Sequence, residues 1–448
     1  MRSFQHVTPP LRLFSGPDSL DHIGRELDRL KSRRAVIFCG PWAHGPLLDA
    51  VRAAMGDRCA GIFDGVLAHS PVESVQDAAK LLLDLQADAV LSLGGGSSIV
   101  TARAGTILAA EQGDVRKLCT TRDPSGKLFS PKLTAAKLPQ LIVPTTPTTA
   151  MVKAGAAVYD PTTGERLALF DPKVRAQSIF IHPDLIQSSP RELIVSASLN
   201  TLSMAIEGLV SRSGDPLADA SLMHALRLAV QYLPDPALGQ DPSVRGELML
   251  AAVLCGQGSD FAGAGITTVL GHAVGARHHI DNGIVNAIVL PHAIRFNGIA
   301  AGQGLHKVGT ALGLAVWEGE ALVEAVACAI EALFGRLGIA KRLRDVGVLE
   351  EALPDIAAHA IDDWFLKGNP RAVRDVSELR QVLEQAWCTG CGPQFSGATD
   401  FAGSASARQL RGERRRVFWW MGRRFPCRIR DRAGQAGRAT TSITAPKV

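Results

Sequence analysis

The segment GITTVLGHAVGARHHIDNGIVNAIVLPH, from Gly265 to His292, holds four of the chain's twelve histidines: His272, His278, His279 and His292. Imidazole can ligate a metal or move a proton near neutral pH. Adjacent side chains on a helix do not face one another, so His278 and His279 read as surface residues rather than a ligand pair. His292, before the apolar AIRF, reads as structural. A second constellation is LSLGGGSSIVTARA, in which an apolar run leads into Gly94, Gly95, Gly96 and Ser97 and then into helical spacing. Glycines let backbone approach a phosphate, and the helix N-terminus behind them offers free N–H groups and a positive dipole end. The third is VPTTPTTAM, where the hydroxyls of Thr145, Thr146 and Thr149 follow another apolar run. They can cap a turn or donate to a phosphate, a ribose or an amide. Cys388 and Cys391 form a lone CxxC, which without a second pair reads as two free thiols rather than a zinc site.

The elements that must position these residues follow from periodicity. AVIFCG (35–40), DAVLSLGGGSS (88–98) and QLIVPTT (140–146) read as buried strands. LDAVRAAMG (48–56), ESVQDAAKLLLDLQA (73–87) and IVTARAGTILAAE (99–111) read as helices between them. Strands alternating with helices imply a doubly wound parallel sheet, so residues 1–186 form an α/β domain. Residues 187–387 show helical periodicity almost throughout and form an all-α domain. Pro190 is expected in the first turn of its first helix.

Composition narrows the class. Hydrophobic content of 46% and charged content of 20% fit a globular protein with a large core. No leader-like segment and no run of about 18 apolar residues is evident, so a cytoplasmic, membrane-free protein is expected. The net charge of +5 is misleading, because residues 388–448 alone carry eleven Arg and one Lys against two Asp and one Glu. The remainder is mildly acidic, and no specific nucleic-acid partner is expected. The Arg-rich tail departs in composition from everything before it, as a disordered, frameshifted or fused end would.

Taken together, GGGSS, PTTPTT, HPDLI, NTLSMAIEGLVS, GHAVGA, NGIVNAIVLPHAIRFN and KGNPRAVRDVSELRQVLEQAW resemble, in order, the iron-containing alcohol dehydrogenase family, with its maleylacetate reductase branch. The likeness covers residues 8–387. It implies a Rossmann-like NAD(P)-binding domain followed by a helical metal-binding domain, a dehydroquinate synthase-like architecture. It also implies hydride transfer between a nicotinamide and an alcohol or carbonyl compound. At the family's four metal-ligand positions, however, this chain has Asn200, Met204, Thr268 and Asn282 in place of one Asp and three His. Neutral amides, a hydroxyl and a soft thioether suit no hard dication, so metal is not expected. Val100 and Arg103 replace the family's Asp and Lys after GGGS. Gly40 replaces the Asp that binds the ribose 2′-hydroxyl, so NADPH is expected to be tolerated or preferred.

The expected site therefore has His272 as general acid, Thr268 one turn earlier as its partner or an oxygen donor, and Asn200, Asn282 and Lys153 facing the substrate. Lys153 would hold a carboxylate or phosphate. The expected activity is a metal-independent NAD(P)-dependent carbonyl reductase or alcohol dehydrogenase, with a maleylacetate-like oxo-acid reductase as one alternative. A lyase of dehydroquinate synthase-like fold and a noncatalytic homologue are the others. Net consumption of NAD(P)H separates the reductases from both. A homodimer is compatible with this reading.

Overall fold

Short apolar runs ending at glycine or proline form parallel strands here, and the amphipathic stretches between them form the crossover helices. The computed structural model describes residues 3–123, 128–315 and 318–388. In chain order the first half contains β1 (Arg12–Ser15), α1 (Ile23–Arg29), β2 (Ala35–Phe38), α2 (Pro46–Met55), β3 (Cys59–Phe63), α3 (Val72–Asp84), β4 (Ala89–Gly94) and α4 (Gly96–Glu111). It continues through α5 (Val115–Leu118), the short pair β5 (Thr121–Arg122) and β6 (Leu128–Phe129), β7 (Gln140–Pro144), the hairpin β8 (Gly155–Asp160) and β9 (Glu165–Phe170), and β10 (Ala176–Ile181). Six strands form one parallel sheet in the order β1-β10-β7-β4-β2-β3.

This order creates the site. The chain leaves β2 for β3 on one side, crosses back to β4, and continues to β7 and β10 on the other side. Direction reverses between β2 and β4, so their outgoing connections part and leave a crevice beyond their carboxyl ends. Open α/β sheets take their ligands at such a switch point. Strand alternation buries both faces. Val36 and Phe38 pack with Val75, Ala78 and Leu82 of α3 and Ile107 of α4. Ala35 and Ile37 pack with Ile23 and Leu27 of α1 and with Leu48 and Val51 of α2.

The second half is helical: α6 (Pro183–Gln187), α7 (Arg191–Val210), α8 (Pro216–Tyr232), α9 (Pro242–Ala262), α10 (Ile266–His278), α11 (Asn282–Asn297), α12 (Gly302–Ala311), α13 (Gly319–Arg336), α14 (Leu353–Ala360) and α15 (Val376–Trp387). Beyond Ile181 no strand occurs among the described residues. Pro190 is the N-cap of α7 rather than a residue of its first turn, because its ψ of 145° is extended while its ring fixes φ at −54°. The central helix α7 is buried on nearly every side. By length and composition α7 and the stretch Asn282–Ala311 could each cross a membrane, but 83% and 61% of those windows are buried within the fold. Of the Arg-rich tail and its CxxC, only Cys388 falls among the described residues.

His292 of α11 is partly buried, and burial together with Arg295 pulls its pKa down from 6.5 to about 4. A histidine held neutral in the fold but free to protonate when unfolded makes the unfolded chain bind more protons, so stability falls with pH. The decline is expected as pH drops from 6.5 toward about 4. Urea unfolding of His292→Gln across this window should show a shallower decline than the wild type, and an unchanged slope would contradict the assignment.

Candidate active site

Two loops meet where β4 and β7 end side by side. Gly94 pairs with Pro144 in the ladder, and the Thr145 amide donates to the Gly94 carbonyl at 3.1 Å. Gly94 has a φ of +140°, and a Cβ there would lie 2.4 Å from Ser98 Oγ and 3.1 Å from the Trp42 ring. A Cβ on Gly95 would lie 2.8 Å from Thr146 Oγ1. Any larger residue would push the two loops apart. Helix α4 begins at Gly96 with no side-chain cap, so its first-turn amides lack intrahelical partners and suit a phosphate. Thr145, Thr146 and Thr149 are buried. Of these, Thr149 reaches across to the helical half, its Oγ1 lying 3.8 Å from Met204 Sδ. Trp42, half-exposed on the lip beside Gly94, is a residue the motif reading did not single out.

Arg103 fastens this arrangement. Its guanidinium is fully buried. It donates to Gln140 Oε1 at 3.1 Å and to the carbonyls of Ala150 and Gly155, each at 2.9 Å. Gln140 in turn donates to Ser92 Oγ at 2.9 Å and to the Ile99 carbonyl at 3.0 Å. One side chain on α4 thus ties the threonine loop, β7 and β8 to the helix that carries the glycine loop.

In the helical half, α10 carries His272. Its Nδ1 lies 3.0 Å from Asp363 Oδ2, and its ring is 5.9 Å from Phe365. Burial works against charge on Asp363, but His272, the Phe365 amide and Arg166 together hold its carboxyl below the usual range. The carboxylate therefore accepts from Nδ1–H, which leaves Nε2 as the free ring nitrogen. Burial lowers the His272 pKa first, Arg166 and Lys153 lower it further, and Asp363 partly opposes them. At neutral pH the imidazole is neutral. Lys153 is partly exposed, and its Nζ sits 6.0 Å above the Phe365 ring. Arg122 of the α/β half bonds the Asp362 carbonyl and pairs with its carboxylate at 3.2 Å, joining the two halves next to Asp363. Asp363, Phe365 and Arg166 had no motif to mark them.

The remaining expected residues are placed differently from one another. Thr268 donates its hydroxyl to Glu207 Oε2 at 2.6 Å, and its amide also donates to that carboxylate. Glu207 caps the N-terminus of α10, where burial raises its pKa against these hydrogen bonds. Thr268 therefore has no hydroxyl proton left for a substrate. Asn200 Nδ2 contacts Met204 Sδ at 3.7 Å, and its amide meets that of Asn286 at 2.9 Å. Asn282 packs on Gly275, where a Cβ would come within 2.2 Å of its Oδ1. His278 ends α10 and His279 is its left-handed cap, so neither joins His272.

These donors do not fit the dication that the sequence resemblance implies. Among the described residues no group of three or more His, Cys, Asp or Glu is placed to hold a metal. Asn200 and Met204 are neutral, and Thr268 faces a carboxylate of its own. Nothing in the set offsets the loss of a dication's water shell.

Arg103→Met should leave Gln140 and two buried carbonyls short of donors, at a cost of about 1–3 kcal/mol for each orphaned group. Lower urea stability and weaker dinucleotide binding are expected together. Unchanged values for both would show that the brace is dispensable.

Residues 10–183 match the model for iron-containing alcohol dehydrogenase, and residues 194–387 match that for the C-terminal part of the Fe-containing alcohol dehydrogenase family. Lactaldehyde reductase of Escherichia coli K12 is 31% identical over 83% of this chain and 94% of its own length. Maleylacetate reductase of Sphingobium indicum is 26% identical over 84% and 95% respectively. A 1,3-propanediol oxidoreductase structure superposes with a TM-score of 0.79 at 24% identity, over 86% of this chain and all of that one. This chain belongs to the iron-containing alcohol dehydrogenase family.

Proposed function

We propose that the protein is an NAD(P)-dependent oxidoreductase that moves hydride between a nicotinamide and a small alcohol or carbonyl compound. His272 and Asp363 handle the proton, and no catalytic metal takes part. The observation that carries this reading is the hydrogen-bonded His272–Asp363 pair, and the neutral side chains that the resemblance places at the family's metal positions support it.

In this reading Gly94, Gly95, Gly96 and Ser97, with the first amides of α4, hold the pyrophosphate. Thr145, Thr146 and Thr149 border the rest of the dinucleotide. Bound there, the nicotinamide supplies or accepts the hydride. Gly40 leaves no carboxylate at the end of β2 to repel a 2′-phosphate, so NADPH is accepted. Asn200 and Asn282 line the substrate side, and Asp363 fixes the His272 tautomer. In reduction the protonated Nε2 donates to the carbonyl oxygen as hydride reaches the carbon, and in oxidation the neutral Nε2 removes the hydroxyl proton. Because the His272 pKa is lowered, the base form prevails at neutral pH. Alcohol oxidation is then near its plateau, and carbonyl reduction speeds up as pH falls.

The test is NAD(P)H consumption with a panel of aldehydes and ketones by the full chain. His272→Ala should lower kcat by roughly 10²–10⁴-fold, the usual range for a general acid–base. Asp363→Asn removes the group that favours the imidazolium, so it should move the oxidation limb to lower pH as well as slow turnover. Wild-type turnover by His272→Ala would refute this reading.

A further inference from the structure

The turn that carries Asp363 is held against α10 at both of its ends. Asp363 caps a short 3₁₀ helix, Trp364–Gly368, and Asn369 follows as its C-cap. Asp363 Oδ1 accepts from the Phe365 amide at 3.0 Å, which leaves Oδ2 for His272 Nδ1. At the far end the buried Asn369 accepts at Oδ1 from the amide of Ile266, the first residue of α10, at 3.2 Å. Ile266 and His272 are six residues apart, and so are Asp363 and Asn369. The 3₁₀ helix and the start of α10 therefore lie side by side in opposite directions, clipped once by Ile266 with Asn369 and once by His272 with Asp363.

The Asn369 clip uses the whole amide. Nδ2 donates to the Arg371 carbonyl and to Asn297 Oδ1, each at 2.7 Å, and Asn297 Nδ2 donates back to Asn369 Oδ1 at 3.3 Å. A backbone N–H on one side and a backbone C=O on the other fix which way the amide faces. The fit is close: a Cβ on Gly265 would lie 2.8 Å from Asn369 Oδ1, and one on Gly368 would lie 2.6 Å from the Ala264 carbonyl. Arg212, just beyond α7, donates to the carbonyls of Gly368 and Asn369. The turn is thereby tied to α10, to the end of α11 and to the end of α7.

We propose that Asn369 is a positioning residue for the proton step: by fixing the far end of the turn to α10, it sets the His272–Asp363 hydrogen bond and with it the direction of Nε2. This rests on the proton-transfer reading above and adds the group that aligns its two members. With the Asn369 clip released, the His272 bond must itself hold the turn on α10. Misplacement on the order of 1 Å in such a pair costs about 10²-fold in rate.

The test reads the bond itself. In the full-length protein the Nδ1 proton of His272, shared with a carboxylate, should give a downfield proton NMR resonance, identified by its absence from His272→Ala. Asn369→Ser should abolish this resonance while the protein stays folded, and should lower kcat by on the order of 10–100-fold with little change in KM. Ile330→Ala, in the core beside α13, should lose stability yet keep the resonance. Adding Asn369→Ser to Asp363→Asn should cost no further turnover, because the two act through one bond. An unchanged resonance in Asn369→Ser, or an additive loss in the double variant, overturns the proposal. If Asn369→Ser does not fold, Asn297→Ala, which removes the reciprocal amide pair, is read for the same two outcomes. The resonance also separates the two inferences. Its loss in Asn369→Ser, with wild-type turnover by His272→Ala, supports the positioning role and refutes the proton-transfer reading alone.

Discussion

The cofactor half of this protein depends on one buried cation. Arg103 sits at the centre of the α/β layer, out of water and without a carboxylate partner. A charge so placed is tolerated only if its donors are satisfied. Gln140 and two backbone carbonyls do this, and each comes from an element that shapes the crevice. Burial lowers the guanidinium's pKa to about 9, with Arg175 adding to the effect, yet leaves it charged at neutral pH. The glycine loop and the threonine loop therefore cannot drift independently. Their spacing, set by contacts such as Gly95 against Thr146, is transmitted through α4 to a fixed point.

The catalytic half is governed by charge balance. An oxygen that turns negative during hydride transfer needs compensation. The resemblance places Asn200, Met204, Thr268 and Asn282 at the positions where the family carries its metal ligands. Thr268 and the N-terminus of α10 are already occupied by Glu207. Lys153 and Arg166 lie instead within electrostatic reach of the His272–Asp363 pair. The Asp363–His272 bond gives this cluster a direction, because the tautomer it fixes leaves Nε2 as the nitrogen free for a reacting oxygen.

Much of the architecture was legible in the sequence. AVIF, LSLG and QLIVP announced strands by their apolar runs, and the long amphipathic stretches announced helices, because each signal is local. The edge strands β1 and β3 and the hairpin β8–β9 were not legible. Their residues are partly exposed and mixed in character, and pairing across the sheet defines them. In the site, the glycine and threonine loops could be found because their chemistry lies in contiguous residues. Asp363 could not, since it stands 91 residues from His272 and meets it only through the packing of α10 against the turn before Asn369. Thr268 shows the converse limit. Helical spacing correctly set it one turn before His272, but only tertiary structure revealed Glu207 as its partner.

The central claim is that proton transfer through His272 and Asp363 replaces metal assistance. The most direct test is carbonyl reduction by protein stripped with a strong chelator, with bound metal measured on the same sample and turnover followed as Fe(II) or Zn(II) is added back. The account predicts full turnover without metal and no gain on addition. Activity that vanishes on stripping and returns in proportion to bound metal would contradict it.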